Sequence, residues 1–405
     1  MRRTVSVVVV FALLVACVAA VQATAADEAD DKPARSSGIQ AAVSFSDLAG
    51  HWAKSAIEAA VKRGYVSGYG DGTFKPEASV SRAEFIKMLV ITSGFSVQAP
   101  AAGQKWFIPY VDAAVKAGIH RFQDFNEKWD RPLTRTEMAK LAVRAALKEY
   151  RGKGLTDKEL FFRAVNNGLL SGIGNGKLDE QGKTTRAQAV AVISRVLTLA
   201  GGGKLTMDET VSSYAELAWH NHNAITMLNT DLNPLPQEHD LTYAVKGKVV
   251  QVIVVDLSKK DGPYREYFDG AISYSMKDRK DGYAIAVKWV ARNHKTATGN
   301  AVIDGAMILK CGEYKCSDVE FSRDRISRKY DSSQVPGIFR NLYTLDLRTL
   351  NSITTWKASY ISKEFVQDSL KKYGYIPIKY HRYSNVDGIS SFWLTQKLKD
   401  DTLGG

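Results

Sequence analysis

Two rhythms of hydrophobic and polar positions divide the chain. From Phe45 to about Ala200, apolar residues recur at the i, i+3, i+4 spacing of a half-buried helix. Ile57, Ala60 and Val61 form one stripe, which stops at Gly64, and Phe85, Met88 and Leu89 form the next. Between them lies a glycine-rich turn, Gly68-Tyr69-Gly70-Asp71-Gly72, closed by Pro76. The pattern then returns twice, with a period of about fifty residues. In the second copy Val111, Ala114 and Val115 precede Gly118, and Met138, Leu141 and Ala142 follow. In the third, Phe161, Ala164 and Val165 precede Gly168, and Ala189, Val192 and Ile193 follow.

After Gly201-Gly202-Gly203 the rhythm changes towards alternation with a period of two. Lys248 to Leu257 and Tyr283 to Val290 read as strong strands, with weaker candidates at 269–274, 301–309, 342–347 and 353–356. Residues 214–228 and 363–373 read as helices. The expected architecture is multidomain: an α-helical repeat bundle followed by a β-rich α+β domain at 205–405.

A unit of two short helices cannot bury its apolar face alone, so the three copies should share one core. Each second helix opens on a Ser/Thr-x-x-Glu/Gln box: Ser81 with Glu84, Thr134 with Glu137, and Thr185 with Gln188. Such a box satisfies two amides at the helix start and stabilises it by roughly 1 kcal/mol. Capping does not explain the next residue, which is Arg82, Arg135 and Arg186 in turn. An arginine there sits beside a helix N-terminus, where anions bind, and its fork suits a carboxylate. It serves equally as a tie to an acid of a neighbouring copy.

The start of the chain reads as a secretory leader. Met1-Arg2-Arg3 precedes an apolar run from Val5 to Val21, and Ala23-Thr24-Ala25 suits cleavage, giving a leader over 1–25. Leu14-Val15-Ala16-Cys17 also fits a lipoprotein cleavage pattern, but the apolar run continues past it. Residues 26–42 read as a disordered spacer. No other stretch approaches the roughly twenty apolar residues of a spanning helix.

The formal charge is +12, and residues 43–200 carry 23 basic against 15 acidic residues. A basic exported protein suits an anionic partner such as wall polymer, and the leader argues against nucleic acid. With Cys17 in the leader, Cys311 and Cys316 remain as an isolated pair, read as a hairpin disulfide in an oxidising compartment.

The Phe-x-Asp opening, His51-Trp52, the Gly-x-Gly-Asp-Gly-Thr-Phe-x-Pro turn and the Ser/Thr-Arg-Ala-Glu box together resemble the S-layer homology module. The resemblance covers three repeats, bounded at 43–98, 99–150 and 151–200 with a hinge at 201–204. It implies a pseudo-threefold bundle that anchors a secreted protein by binding a pyruvylated secondary wall polysaccharide, without catalysis or cofactor. It also implies that Arg82, Arg135 and Arg186 meet ligand carboxylates.

Trp52 and Trp106 stand at equivalent positions and can either stack on sugar rings or plug the core. Asp47 can accept sugar hydroxyls or cap the first helix. Gly68 and Gly172 let backbone approach a ligand, or permit positive φ. The second copy replaces the glycine turn by Arg121-Phe122-Gln123-Asp124-Phe125, and the third has Thr156 in place of the tryptophan. One or two working grooves are therefore expected.

The C-terminal region shows no catalytic signature. His220-Asn221-His222 is set aside as a metal site because two such histidines on one helix point to different faces. Tyr373, Tyr375, Tyr380 and Tyr383 with Lys379 and Arg382 suit a partner surface or a packed strand face. The region's partner is not identified, and three roles fit it: an effector, a tethered enzyme acting on glycan, or a self-assembling surface-layer element.

Overall fold

The computed structural model describes residues 44–174, 176–240, 245–268, 281–293, 300–301, 308–311, 314–315, 317–318, 345–346, 352–384 and 388–395. The leader, the spacer and the strand candidate at 269–274 lie outside these residues, as does Cys316 and with it the disulfide. The described residues form a mixed helical and sheet structure.

Six helices carry the repeats: α1 (Lys54–Lys62), α2 (Arg82–Thr92), α3 (Ile108–Lys116), α4 (Arg135–Ala146), α5 (Asp157–Asn166) and α6 (Arg186–Ala200). Gly64, Gly118 and Gly168 follow the first helix of each copy with φ of 76°, 71° and 71°, a left-handed conformation that ends a helix cheaply only for glycine. All three capping boxes form. The apolar stripes converge on one core, although Val61 and Val115 are only partly buried at its edge. Helix α4 is buried along its whole length, because α2, α5 and α6 all pack on it.

The copies close on one another through backbone. Val80 N–H donates to Thr184 O at 3.0 Å, Thr184 N–H to Leu133 O at 2.8 Å, and Leu133 N–H to Val80 O at 2.9 Å. Each copy thus donates to another, and the three bonds form a ring. The first helical amides run round the copies in the opposite sense: Arg82 and Ala83 donate to Arg131 O and Trp129 O, Arg135 and Thr136 to Gly182 O and Glu180 O, and Arg186 and Ala187 to Ala78 O and Pro76 O.

The shared core continues past the triple glycine. Helix α7 (Glu209–His220) packs on α5, and its Val211 and Ala215 are buried with the repeats. It does not run on to residue 228. Asn221 takes φ 61°, and a separate helix α8 (Ala224–Leu228) follows. Asparagine tolerates this left-handed conformation better than most side chains.

The remainder is built on antiparallel sheet. Strands β1 (Gln237–Asp240), β2 (Val245–Asp256), β3 (Gly282–Asn293), β4 (Asn300–Ala301), β5 (Ile308–Cys311), β6 (Tyr314–Lys315), β7 (Ser317–Asp318), β8 (Leu345–Asp346), β9 (Ser352–Ser362), β10 (Ile378–Ser384) and β11 (Gly388–Trp393) are described. The larger sheet has the order β1-β2-β3-β9-β7, and a second runs β11-β10-β5-β6. Alternate residues of β2 and β3 face two cores. Val252, Val254, Ile285, Val287 and Trp289 pack with α8 and with α9 (Lys363–Tyr373), while Ile253, Val255, Ala284 and Ala286 pack with Trp356 and Tyr360. Tyr375 is buried beside Tyr373 and the ring centroids are 6.2 Å apart; the side chains of Tyr380, Arg382 and Tyr383 lie outside the description.

Candidate functional site

The three arginines occupy the junctions between copies. Arg186 donates through Nε to Phe74 O at 3.0 Å and through Nη2 to Ser67 O at 2.8 Å, so copy three grips the turn of copy one. Arg135 repeats this one junction on, to Leu178 O at 3.0 Å and Ser171 O at 2.7 Å. Arg82 donates to Glu127 O at 2.7 Å, meets the Glu137 carboxylate and lies 4.6 Å from the centre of the Phe125 ring. The sequence suggests that the helix-start amides beside these arginines are open to an anion; in the structure they are not. Neighbouring carbonyls take the first two in each copy, and the capping side chain takes the third.

Glu137 serves two purposes. It closes its own capping box by accepting from Thr134 N–H at 3.0 Å, and it receives Arg82. Burial pushes its carboxyl up, but the hydrogen bonds from Arg82 and Thr134 outweigh that and hold it below the usual carboxylate range.

Asp47 is half-buried and does not cap the first helix. Its carboxylate accepts from Phe74 N–H at 2.9 Å and Lys75 N–H at 2.7 Å and clasps the turn of copy one. Gly68 and Gly172 do not have positive φ. Their reason is close packing: a Cβ on Gly68 would lie 2.0 Å from the Phe45 ring, and one on Gly172 would lie 2.5 Å from Val211 Cγ2. Asp208, the N-cap of α7, accepts from Gly172 N–H at 3.3 Å and joins the turn of copy three. Nothing local in the sequence marks that role, because Asp208 lies beyond the glycines.

The second copy holds its divergent turn differently. Arg144, fully buried on α4, pairs with Asp124 and donates to Lys153 O. Asp124 also accepts from Arg121 N–H at 3.0 Å. Thr156, which replaces the tryptophan in copy three, caps α5 by accepting from Glu159 N–H.

Trp52 and Trp106 are surface aromatics, 65% and 45% exposed, and do not plug the core. Trp106 stands at a cavity of about 330 Å³ between copies one and two. Ser79, Ser81 and Glu84 line it from copy one, and Phe107, Asp130 and Pro132 from copy two. The ammonium of Lys87 lies 5.4 Å from the centre of the Trp106 ring. The cavity thus offers an aromatic face and the Asp130 carboxylate from copy two, and from copy one the Ser79 hydroxyl together with Ser81 and Glu84, which also close the capping box of α2.

A second cluster lies beyond the repeats. Because α7 ends at His220, with Asn221 as its left-handed cap, the two histidines are not on one helix, and their rings meet edge to face with centroids 5.0 Å apart. The sequence reading placed them on different faces, an argument that requires an unbroken helix.

Residues 44–86 match the S-layer homology domain family. The chain is 42% identical over 52 residues to a cellulosome-anchoring protein of Acetivibrio thermocellus, covering 13% of this chain and 12% of that protein. It is 28% identical over 180 residues to exoglucanase XynX of Acetivibrio thermocellus, covering 39% of this chain and 17% of the relative. It is 25% identical over 349 residues to S-layer protein EA1 of Bacillus anthracis, covering 67% of this chain and 39% of the relative. The chain thus spans well under two thirds of these relatives. Its N-terminal part carries an S-layer homology domain, which marks a secreted protein of the cell surface or cell wall. Among the described residues no helix is long and apolar enough to cross a membrane.

Proposed function

We propose, from the S-layer homology domain at 44–86, that the helical body anchors this chain to the cell wall by holding wall polysaccharide in the groove between copies one and two. The observation that carries this reading is Trp106, exposed beside a cavity lined by Ser79, Ser81, Glu84 and Asp130. Sugar C–H groups pack on the indole face, and the hydroxyls and carboxylates bond sugar hydroxyls. The ring of backbone bonds that joins the copies supports a pseudo-threefold bundle, in which Trp52 takes the corresponding place at another junction.

The ligand in this proposal is an anionic, pyruvylated polymer. The basic excess of residues 43–200 attracts it over the surface. Arg82, Arg135 and Arg186 each use two of five N–H donors on a neighbouring copy, so a ketal carboxylate meets the outer edge of a guanidinium already fixed in place. Sedimentation of the full chain with purified walls tests the groove. Trp106→Ala should lower wall affinity by about tenfold with no loss of unfolding midpoint, consistent with an aromatic contact of roughly 0.5–1.5 kcal/mol. Equal binding of the variant, or equal binding to walls stripped of pyruvyl groups, sinks the respective half of the proposal.

One observation favours a second role for the C-terminal region. The similarity to EA1 covers 67% of this chain, more than the roughly two fifths taken by the repeats. This supports self-assembly at the surface over a tethered glycan-degrading activity. Ordered sheets forming from purified protein without wall material would establish it; fragments released from wall glycan would favour the enzyme.

A further inference from the structure

The left-handed turn at Asn221 creates a compact set of metal-ligating atoms. Val252 N–H donates to Asn221 O at 2.9 Å and fixes the chain where it reverses. His220 Nδ1 then lies 3.2 Å from His222 Nε2. Asp231, in the loop after α8, brings Oδ1 to 3.8 Å from the first nitrogen and 3.5 Å from the second. Among the described residues this is the one group of three such side chains whose ligand atoms all lie within 4.8 Å of one another.

We propose that His220, His222 and Asp231 bind one divalent transition-metal ion of the zinc class, with a fourth position open to water. A tetrahedral zinc ion has bonds of about 2.0–2.1 Å to such ligands, which places neighbouring ligand atoms roughly 3.3 Å apart. The three observed separations bracket that value, so little movement is needed. Two imidazoles select zinc-like ions over magnesium or calcium, which prefer oxygen.

The surroundings prepare the donors. Glu216 is fully buried, and its Oε1 lies 2.8 Å from His222 Nδ1. The same carboxylate is fixed by Ile225 N–H at 2.8 Å and Thr226 N–H at 2.7 Å. Ala224 N–H also points at His222 Nδ1, at 3.3 Å. The shorter, charge-assisted carboxylate contact places the proton on Nδ1 and leaves the Nε2 lone pair facing His220 and Asp231, as metal-bound histidines are commonly arranged. The carboxylates of Glu216 and Asp231 balance the charge of a divalent ion. His222 is buried, whereas the side chains of His220 and Asp231 are 26% and 42% exposed, so the ion enters from their side. Its place is where α7, packed on the repeats, gives way to α8 and β2. The ion ties the end of α7 to the loop after α8, beside the sheet.

The test uses the untagged full chain, freed of metal with chelator. Calorimetric titration with zinc should show one ion per chain at micromolar or tighter affinity, and zinc should raise the unfolding midpoint. Cobalt should give the visible spectrum of a four-coordinate nitrogen and oxygen site, without the thiolate charge-transfer band that Cys311 and Cys316 would produce. His220→Ala and Asp231→Asn, both at partly exposed positions, should weaken zinc binding at least tenfold while the circular dichroism stays that of wild type. Absence of stoichiometric zinc uptake by wild type overturns the proposal, as does undiminished uptake by both folded variants. Should a variant misfold, the wild-type stoichiometry and cobalt spectrum decide.

Discussion

Arg82 lies against Glu137, the acid that closes the capping box of the next copy. One carboxylate thus caps the start of a helix and joins two repeats. Arg82→Ala leaves Glu137 buried without its cation and should cost roughly 3–5 kcal/mol. Arg82→Lys should fall between, because an ammonium cannot reproduce the fork that spans Glu137 and Glu127 O. Denaturant unfolding measures this. Wall affinity measured on the same variants, where they remain folded, separates bracing from ligand contact: contact requires an affinity loss beyond the unfolded fraction.

Asp47→Ala removes the acceptor for Phe74 N–H and Lys75 N–H. Hydrogen bonds to a charged group contribute about 1.5–3 kcal/mol each way they are cut, so the turn should loosen by that order. Hydrogen exchange at Phe74 and Lys75 should quicken while exchange in α4 stays slow. Unchanged protection at those two amides would refute the clasp.

Gly68→Ala should destabilise by on the order of 1–3 kcal/mol, because the new methyl overlaps the Phe45 ring. Gly70→Ala, in the same turn, meets nothing within 4 Å and should be close to neutral. If the two variants melt alike, Phe45 is not the reason for the glycine.

His120 is buried against Phe125 and Trp129, and burial pulls its pKa from 6.5 down to about 4 despite the nearby Asp124. The unfolded chain binds this proton more readily, so stability present at pH 7 is lost progressively between pH 6.5 and about 4. The loss approaches about 3 kcal/mol at the acid end. His222 works in the opposite direction: burial lowers its pKa, but Asp231 and Glu216 raise it above the ordinary value. The difference between wild type and His120→Phe isolates the first effect. Wild type should lose stability faster than the variant as pH falls from 7 to 5, and parallel curves would rule the effect out.

What could be read from the chain was local. Apolar spacing located the repeat helices, glycine located their ends, and the capping boxes formed as spaced. The strands β2 and β3 were legible as apolar runs, but that both of their faces are buried was not. What could not be read depends on distant partners. Gly172 is small because of Val211, and Asp208 holds the turn of copy three from beyond the glycines. The amides at the arginine-bearing helix starts seemed free because their acceptors lie in another copy. The pairing of His220 with His222 turned on one left-handed residue, Asn221, which helix periodicity does not announce.

The docking of α7 on α5 has a mechanical consequence. A pull applied through the sheet reaches α7 before it reaches Gly201, Gly202 and Gly203. The Asp208 clasp and the Val211 contact must shear first. Until then the glycines carry no tension and remain hidden length. Once α7 tears away they extend, and the chain yields by a step while the ring of three copies stays closed.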